Sequence, residues 1–142
     1  MEQSNKPSDT RVYLHAIETT VPEKWYSQEF AQNFFLNIEA FGDKQKRFLK
    51  KIYSGSGIEK RHTVIDDYDK DPEHFTFFPP NSRLQPEPST SKRNDLFIGE
   101  ANRLSRKAGQ AVFETLPSVD PSSITHLITV SCTGFSAPGF DF

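Results

Sequence analysis

Cys132 is the only cysteine of the 142-residue chain, and its place in the sequence makes it the first candidate for chemistry. It follows a β-branched segment, residues 124–130, and lies in a glycine-containing stretch, residues 131–142. Ligand sites of α/β proteins commonly lie at the C-terminal ends of strands. A thiol there is a nucleophile if a base lowers its pKa, and is otherwise a pocket wall or a small buried group.

None of the four histidines lies in a motif that indicates a general base for this thiol. His126 lies six residues before Cys132, roughly 20 Å away if the chain between them is extended, and cannot act on it within this chain. His15 falls in another predicted strand, whereas His62 and His74 flank loop segments. A structural or solvated role is the more common one for such histidines.

A second candidate is the basic stretch of residues 43–61, which carries seven bases against two acids. Several cations near one end of an amphipathic helix can hold the phosphates of a nucleotide or coenzyme. The alternative is a solvated helix face. The seven bases are Lys44, Lys46, Arg47, Lys50, Lys51, Lys60 and Arg61.

Two strands and three helices are predicted to position these residues. Residues 12–17 and 124–130 read as strands, because both are rich in apolar and β-branched side chains. Ser27 is predicted to cap a helix that ends at Gly42, and Asp43 to cap a second helix that runs to about Tyr53. Asn94 or Asp95 is predicted to open the third helix, which Pro117 closes.

The remaining segments are predicted to lack regular structure. Residues 1–9 form a polar tail, and residues 63–94 form a long loop that holds five of the ten prolines. So long a loop is uncommon in a compact domain. The strand and helix order predicts an α/β fold, and two strands are too few to cover three amphipathic helices. We therefore expect an incomplete part of a larger α/β domain, an expectation that the aromatic residues at the end of the chain strengthen.

Composition excludes several classes of function. A net charge of −2 provides no general attraction to nucleic acid. No apolar stretch approaches the length of a membrane span, so no membrane partner is expected. One cysteine forms no internal disulfide, and the polar N-terminus carries no export signal, so a cytoplasmic location is expected.

Several segments in the same order resemble one family. They are SGIEKRH at residues 56–62 after a basic helix, Arg103-Leu104 on the third helix, ITHLI at residues 124–128 and CTGFSAPGFD at residues 132–141. Together they resemble the N-terminal part of type III polyketide synthases, the chalcone and stilbene synthase family, of the bacterial type. The order and spacing agree from about Tyr13 to Phe142.

The resemblance implies a thiolase-like αβαβα fold and a cytoplasmic homodimer. It also implies acyl-CoA and malonyl-CoA as substrates, with no separate cofactor and no metal. Members of the family load an acyl group onto a cysteine and extend it by Claisen condensation, with a histidine and an asparagine that stabilise the enolate. These three catalytic residues lie beyond residue 142 in the family, so no catalytic residue is predicted in this chain.

The resemblance assigns other roles to residues of this sequence. Cys132, Thr133 and Gly134 match the substrate pocket, and Ala137 matches a residue that crosses the dimer interface into the partner's cavity. Lys51 matches one of three CoA-binding bases. Phe48 and Gly55 occupy the other two positions, and Arg47 or Lys50 could compensate for them.

We therefore expect a fragment of a condensing acyltransferase that is inactive alone. One alternative is a non-catalytic interaction module or one half of a split condensing enzyme. Another is a stand-alone thiol enzyme that uses Cys132, which the lack of a base disfavours.

Overall fold

A computed structural model describes residues 11–139. The predicted polar tail lies outside the described residues, as do residues 140–142. The elements are β1 (Trp25–Ser27), α1 (Gln28–Leu36), α2 (Asp43–Gly55), β2 (Lys60–His62) and α3 (Thr90–Thr115), with short 3-10 helices at Pro72–His74 and Pro121–Ser123. This mixture of helices and a small sheet is compatible with a partial α/β domain.

Helix α1 begins where the sequence predicts and ends earlier. The Ser27 side chain accepts a hydrogen bond from the Phe30 backbone N–H at 3.0 Å, which confirms the predicted N-cap. The helix ends at Leu36 rather than Gly42, because the Glu39 N–H donates to the Ser82 carbonyl in the long loop instead of a helical carbonyl. Ile38 is still buried, but as part of a turn.

Helix α2 confirms the second predicted helix and packs on α1. Its N-cap is Gly42, so Asp43 lies in the first turn instead of capping the helix. The side-chain amide of Gln28 donates to the Tyr53 carbonyl at 3.3 Å, and that of Gln32 donates to the Lys50 carbonyl at 3.4 Å. These contacts leave the opposite side of α2 open.

The sheet consists of β1 and β2, which pair antiparallel with Tyr26 opposite Arg61. Neither strand was predicted from the sequence. Flanking backbone bonds extend the pairing, from the Gln28 N–H to the Glu59 carbonyl at 2.9 Å and from the Thr63 N–H to the Lys24 carbonyl at 3.0 Å. The ribbon thus ties the start of α1 to the chain that follows α2.

Both predicted strands are wrong. Residues 11–20 and 124–130 form no ladder with any described segment. A strand is stable only where a neighbour satisfies its backbone groups, and propensity alone does not supply that neighbour. The apolar side chains are consequently exposed, with Val12 at 93% and Val130 at 90%.

The long loop is ordered around one carboxylate. The Asp67 side chain is fully buried and accepts hydrogen bonds from three consecutive backbone N–H groups, those of Thr76 at 2.8 Å, Phe77 at 2.7 Å and Phe78 at 2.7 Å. The Thr76 hydroxyl donates a fourth at 3.0 Å. Burial opposes ionisation of Asp67, but these donors outweigh it and lower its pKa.

Aromatic side chains form the core beside this carboxylate. The Tyr68 ring contacts four others edge to face, with ring centres 4.8–6.2 Å apart. Such geometry is favourable for aromatic pairs. Burial raises the pKa of Tyr68. The four partners are Tyr26, Phe34, Phe35 and Phe78.

Helix α3 starts before its predicted first turn. The Ser89 hydroxyl caps it by accepting from the Lys92 N–H at 3.1 Å, so the loop ends at residue 89 rather than 94. The sequence pattern missed this turn because residues 90–93 are all polar. The Lys92 ammonium also donates to the Thr76 carbonyl at 2.8 Å, which joins α3 to the loop. The helix ends at Thr115, before Pro117, as predicted.

Among residues 11–139 no helix is both long and apolar enough to cross a membrane.

We predict that Asp67→Asn destabilises the chain by about 2–4 kcal/mol at pH 7, since the amide replaces a charged acceptor and turns a donor toward N–H groups. The pKa of Asp67 is lowered from its ordinary 3.8, so its stabilisation is complete above that value and is lost as the pH falls through the lower folded pKa. The variant should therefore lose less stability than the unmodified chain between pH 7 and pH 3. Urea unfolding at both pH values measures this.

Asp71→Asn is the matched control, because Asp71 is exposed, lies in the same loop and makes no side-chain cap. It should change the free energy of unfolding by less than about 0.5 kcal/mol. Equal effects of the two substitutions would contradict the role of Asp67.

Candidate functional site

The turn of residues 131–139 carries four of the five predicted site residues. Cys132, Thr133 and Ala137 are exposed, and Gly134 is half-buried. The Ser131 hydroxyl donates to the Thr133 carbonyl at 2.7 Å, which closes the start of the turn. The thiol and the neighbouring hydroxyl therefore stand on an accessible surface.

Asn94 of α3 holds this turn by two hydrogen bonds to one residue. Its side-chain amide donates to the Phe135 carbonyl at 2.7 Å, and its side-chain oxygen accepts from the Phe135 N–H at 2.7 Å. A planar amide that satisfies both backbone groups of a residue mimics one step of a sheet ladder. Asn94 thus fixes the turn although residues 124–130 have no strand partner.

Gly134 packs against the same helix. Its φ is +81°, in the left-handed region that favours glycine, and a Cβ at this position would overlap the ring of Phe97. The predicted pocket residues therefore differ in their surroundings. Gly134 lies against α3, while Cys132 and Thr133 remain open.

The contacts of the histidines do not indicate a base that activates the Cys132 thiol. The thiol makes no hydrogen bond or ion pair with any residue of the described range. The Nδ1 atom of His126 lies 2.9 Å from the Thr125 hydroxyl, and that of His62 lies 2.7 Å from the Pro22 carbonyl. Neither of these contacts orients a histidine toward Cys132.

The basic stretch divides into two groups. Arg61 and Lys60 take part in the fold, with the guanidinium 5.0 Å from the centre of the Tyr53 ring and the ammonium 4.4 Å from that of Trp25. The α2 cations form no ion pair within residues 11–139. Lys51 belongs to this second group and is exposed, as is Phe48 one turn earlier.

Lys51 and the turn of residues 131–139 are held by different helices. Lys51 is on α2, which packs on α1, whereas the turn is fixed to α3. No hydrogen bond, ion pair or ring contact within the described range joins them. The same part of the chain contains no group of three or more His, Cys, Asp or Glu side chains that could hold a metal ion.

Asn94 and Phe97 are the site-building residues that sequence reasoning missed. Asn94 was predicted as a helix cap, but it lies inside α3, where its side chain is free to bind a distant backbone. Phe97 fell within the predicted third helix, without a predicted role at the site. Their contacts span about forty residues of sequence, so no local pattern indicates them.

The family model for the chalcone and stilbene synthases, N-terminal domain, matches residues 2–142. The chain belongs to the chalcone and stilbene synthase family. No solved structure matches it. The match confirms the resemblance to this family and supports a polyketide synthase, a transferase, as the class of protein.

We predict that Asn94→Ala releases the turn in this chalcone and stilbene synthase domain. Loss of two hydrogen bonds, each worth about 1 kcal/mol, should raise amide hydrogen exchange at Phe135 by tenfold or more. Asn102→Ala, on an exposed position of the same helix, is the control and should leave that rate unchanged. Unchanged exchange at Phe135 in Asn94→Ala would show that the turn is held by other contacts.

Proposed function

We propose that this chain is the N-terminal part of a bacterial-type, cytoplasmic type III polyketide synthase with a thiolase-like αβαβα fold. The proposed enzyme condenses acyl-CoA starters with malonyl-CoA and works as a homodimer. The family match over residues 2–142 supports the class of enzyme. The cysteine at position 132, where plant members commonly carry threonine, supports the bacterial type.

In this proposal Cys132 and Thr133 form part of the acyl pocket, with Gly134 as the turn residue and Ala137 at the dimer interface. The observation that supports it is the pair of hydrogen bonds from Asn94 to Phe135, which fixes a turn whose thiol and hydroxyl side chains are exposed. Small, uncharged side chains of this kind suit contact with an acyl chain.

The same surroundings argue against acyl transfer by Cys132. Thioester exchange requires a thiolate and a base or cation that favours it. Among the residues the structure describes, no base or cation forms a hydrogen bond or ion pair with Cys132. We therefore infer that the 142 residues alone do not form an acyl-enzyme, and that a cysteine, histidine and asparagine elsewhere in the enzyme perform the chemistry.

Lys51 is proposed to bind the phosphates of CoA. It is exposed and has no ion pair within residues 11–139, so its charge is available to a phosphate. Phe48 and Gly55 carry no charge to assist it. Arg47 and Lys50 adjoin it on α2 and add positive charge to the same helix.

CoA titration of the chain by calorimetry at low ionic strength tests this proposal. Lys51→Gln should weaken binding about three- to tenfold, because one exposed charge contact is lost, and the loss should shrink at higher salt. Arg106→Gln removes a cation from α3 instead and should leave CoA binding unchanged. Equal weakening by both variants would indicate general charge attraction and would overturn the role of Lys51.

The double variant Arg47→Gln, Lys50→Gln tests whether Arg47 and Lys50 supply the positive charge that Phe48 and Gly55 lack. A loss of affinity larger than that of Lys51→Gln would assign them the main phosphate contacts. Affinity equal to that of the unmodified chain would leave Lys51 as the principal contact.

The second candidate function is an interaction module, or one half of a split condensing enzyme. It is favoured by the exposed apolar side chains of residues 11–20 and 124–130, which a second polypeptide would cover. A module without a substrate role would not bind CoA. The CoA titration therefore separates the interaction module from the condensing enzyme.

A further inference from the structure

A cavity lies between the β1–β2 ribbon, α1, α2 and the first residues of the long loop. Its volume is about 260 Å³. Four of its lining residues are aromatic and two are basic: Tyr26, Phe35, Tyr53, Tyr68, Arg61 and His62. None of these residues belongs to the turn of residues 131–139 or to the CoA surface proposed on α2.

Arg61 gives this cavity a positive charge that has no counter-ion among residues 11–139. Its Nε donates to the side-chain oxygen of Gln28 at 2.6 Å, and its guanidinium faces the Tyr53 ring. The guanidinium forms no ion pair within residues 11–139. Its two terminal nitrogens are therefore available to a ligand, in the fork geometry that matches a carboxylate.

The nearby acidic residues are engaged elsewhere. Asp67 is buried among its own backbone donors. Asp66 and Asp69 pair with the Lys24 ammonium at 3.2 and 3.0 Å, and this hydrogen bond lowers the pKa of Asp69. These three carboxylates therefore do not neutralise Arg61.

The aromatic walls are held in fixed positions by one another. Ring centres lie 5.7 Å apart for Tyr26 and Tyr68, 6.2 Å for Phe35 and Tyr68, and 6.2 Å for Phe35 and Tyr53. Burial raises the pKa of Tyr53, and the nearby Arg61 partly opposes that rise. Rigid aromatic walls favour a flat ring over a flexible chain, because little ordering is needed on binding.

We propose that this cavity binds a small planar aromatic carboxylate. The Arg61 guanidinium receives the carboxylate, and the rings of Tyr53, Phe35 and Tyr68 surround the aromatic part of the ligand. The volume is below the roughly 300–1,000 Å³ of pockets for drug-sized ligands, so a single-ring compound is the appropriate size. A phosphate would leave the aromatic walls unused, and an apolar ligand would leave the guanidinium unused.

A ligand series on the unmodified chain tests the chemistry directly. Benzoate, benzamide and cyclohexanecarboxylate are titrated into the ¹⁵N-labelled chain while amide resonances are followed. Benzoate should shift the resonances of residues 61–63 and Tyr53 saturably. Benzamide should bind at least about tenfold more weakly, because it lacks the charge. Cyclohexanecarboxylate should also bind more weakly, because it lacks the flat ring.

Two substitutions then test whether Arg61 binds the carboxylate of the ligand. Arg61→Gln should weaken benzoate binding at least about tenfold. Lys60→Gln, which removes the neighbouring cation of β2 that does not line the cavity, should leave benzoate binding unchanged. Equal affinity for benzoate and benzamide, no saturable shift with benzoate, or equal weakening by the two variants would overturn the proposal. The ligand series remains decisive if Arg61→Gln fails to fold.

Discussion

The Asp67 carboxylate joins two parts of the long loop, and the aromatic rings beside it contact the first helix. Four donors surround it, three of them the consecutive backbone N–H groups of residues 76–78. Those bonds hold the Phe78 ring 5.8 Å from Tyr68 and 6.1 Å from Phe34 of α1. A buried charge is tolerated only when such donors replace water. One carboxylate therefore positions the aromatic core that the α1–α2 unit packs around, and the cavity beside Arg61 depends on that core.

The sequence predicted the features with local causes. Ser27 as a cap, α2 after Gly42 and the end of α3 before Pro117 follow from side chains within a few residues of each helix terminus. The role of Asp67 was not predictable, because its donors lie about ten residues away in a segment without periodicity. The strands at residues 12–17 and 124–130 were wrong for a related reason, since strand formation depends on a partner that propensity does not reveal.

The candidate site was predicted to a different extent. Lys51, Cys132 and Thr133 were named from the family resemblance, and the structure places all three on exposed positions. Asn94 was not recognised as the residue that holds the turn of Cys132 and Thr133. Two kinds of positive charge also became distinguishable only in three dimensions. Lys51 is on an open helix face suited to phosphates, whereas Arg61 adjoins aromatic walls suited to a planar carboxylate.

We propose that Cys132 is a pocket wall rather than a nucleophile. Intact-mass spectrometry of the chain after incubation with hexanoyl-CoA tests it most directly, with Cys132→Ser as the control. The expected result is an unchanged mass and a thiol that iodoacetamide still alkylates, because no base contacts Cys132 in the described part of the chain. One hexanoyl group on the unmodified chain, absent from Cys132→Ser, would contradict it.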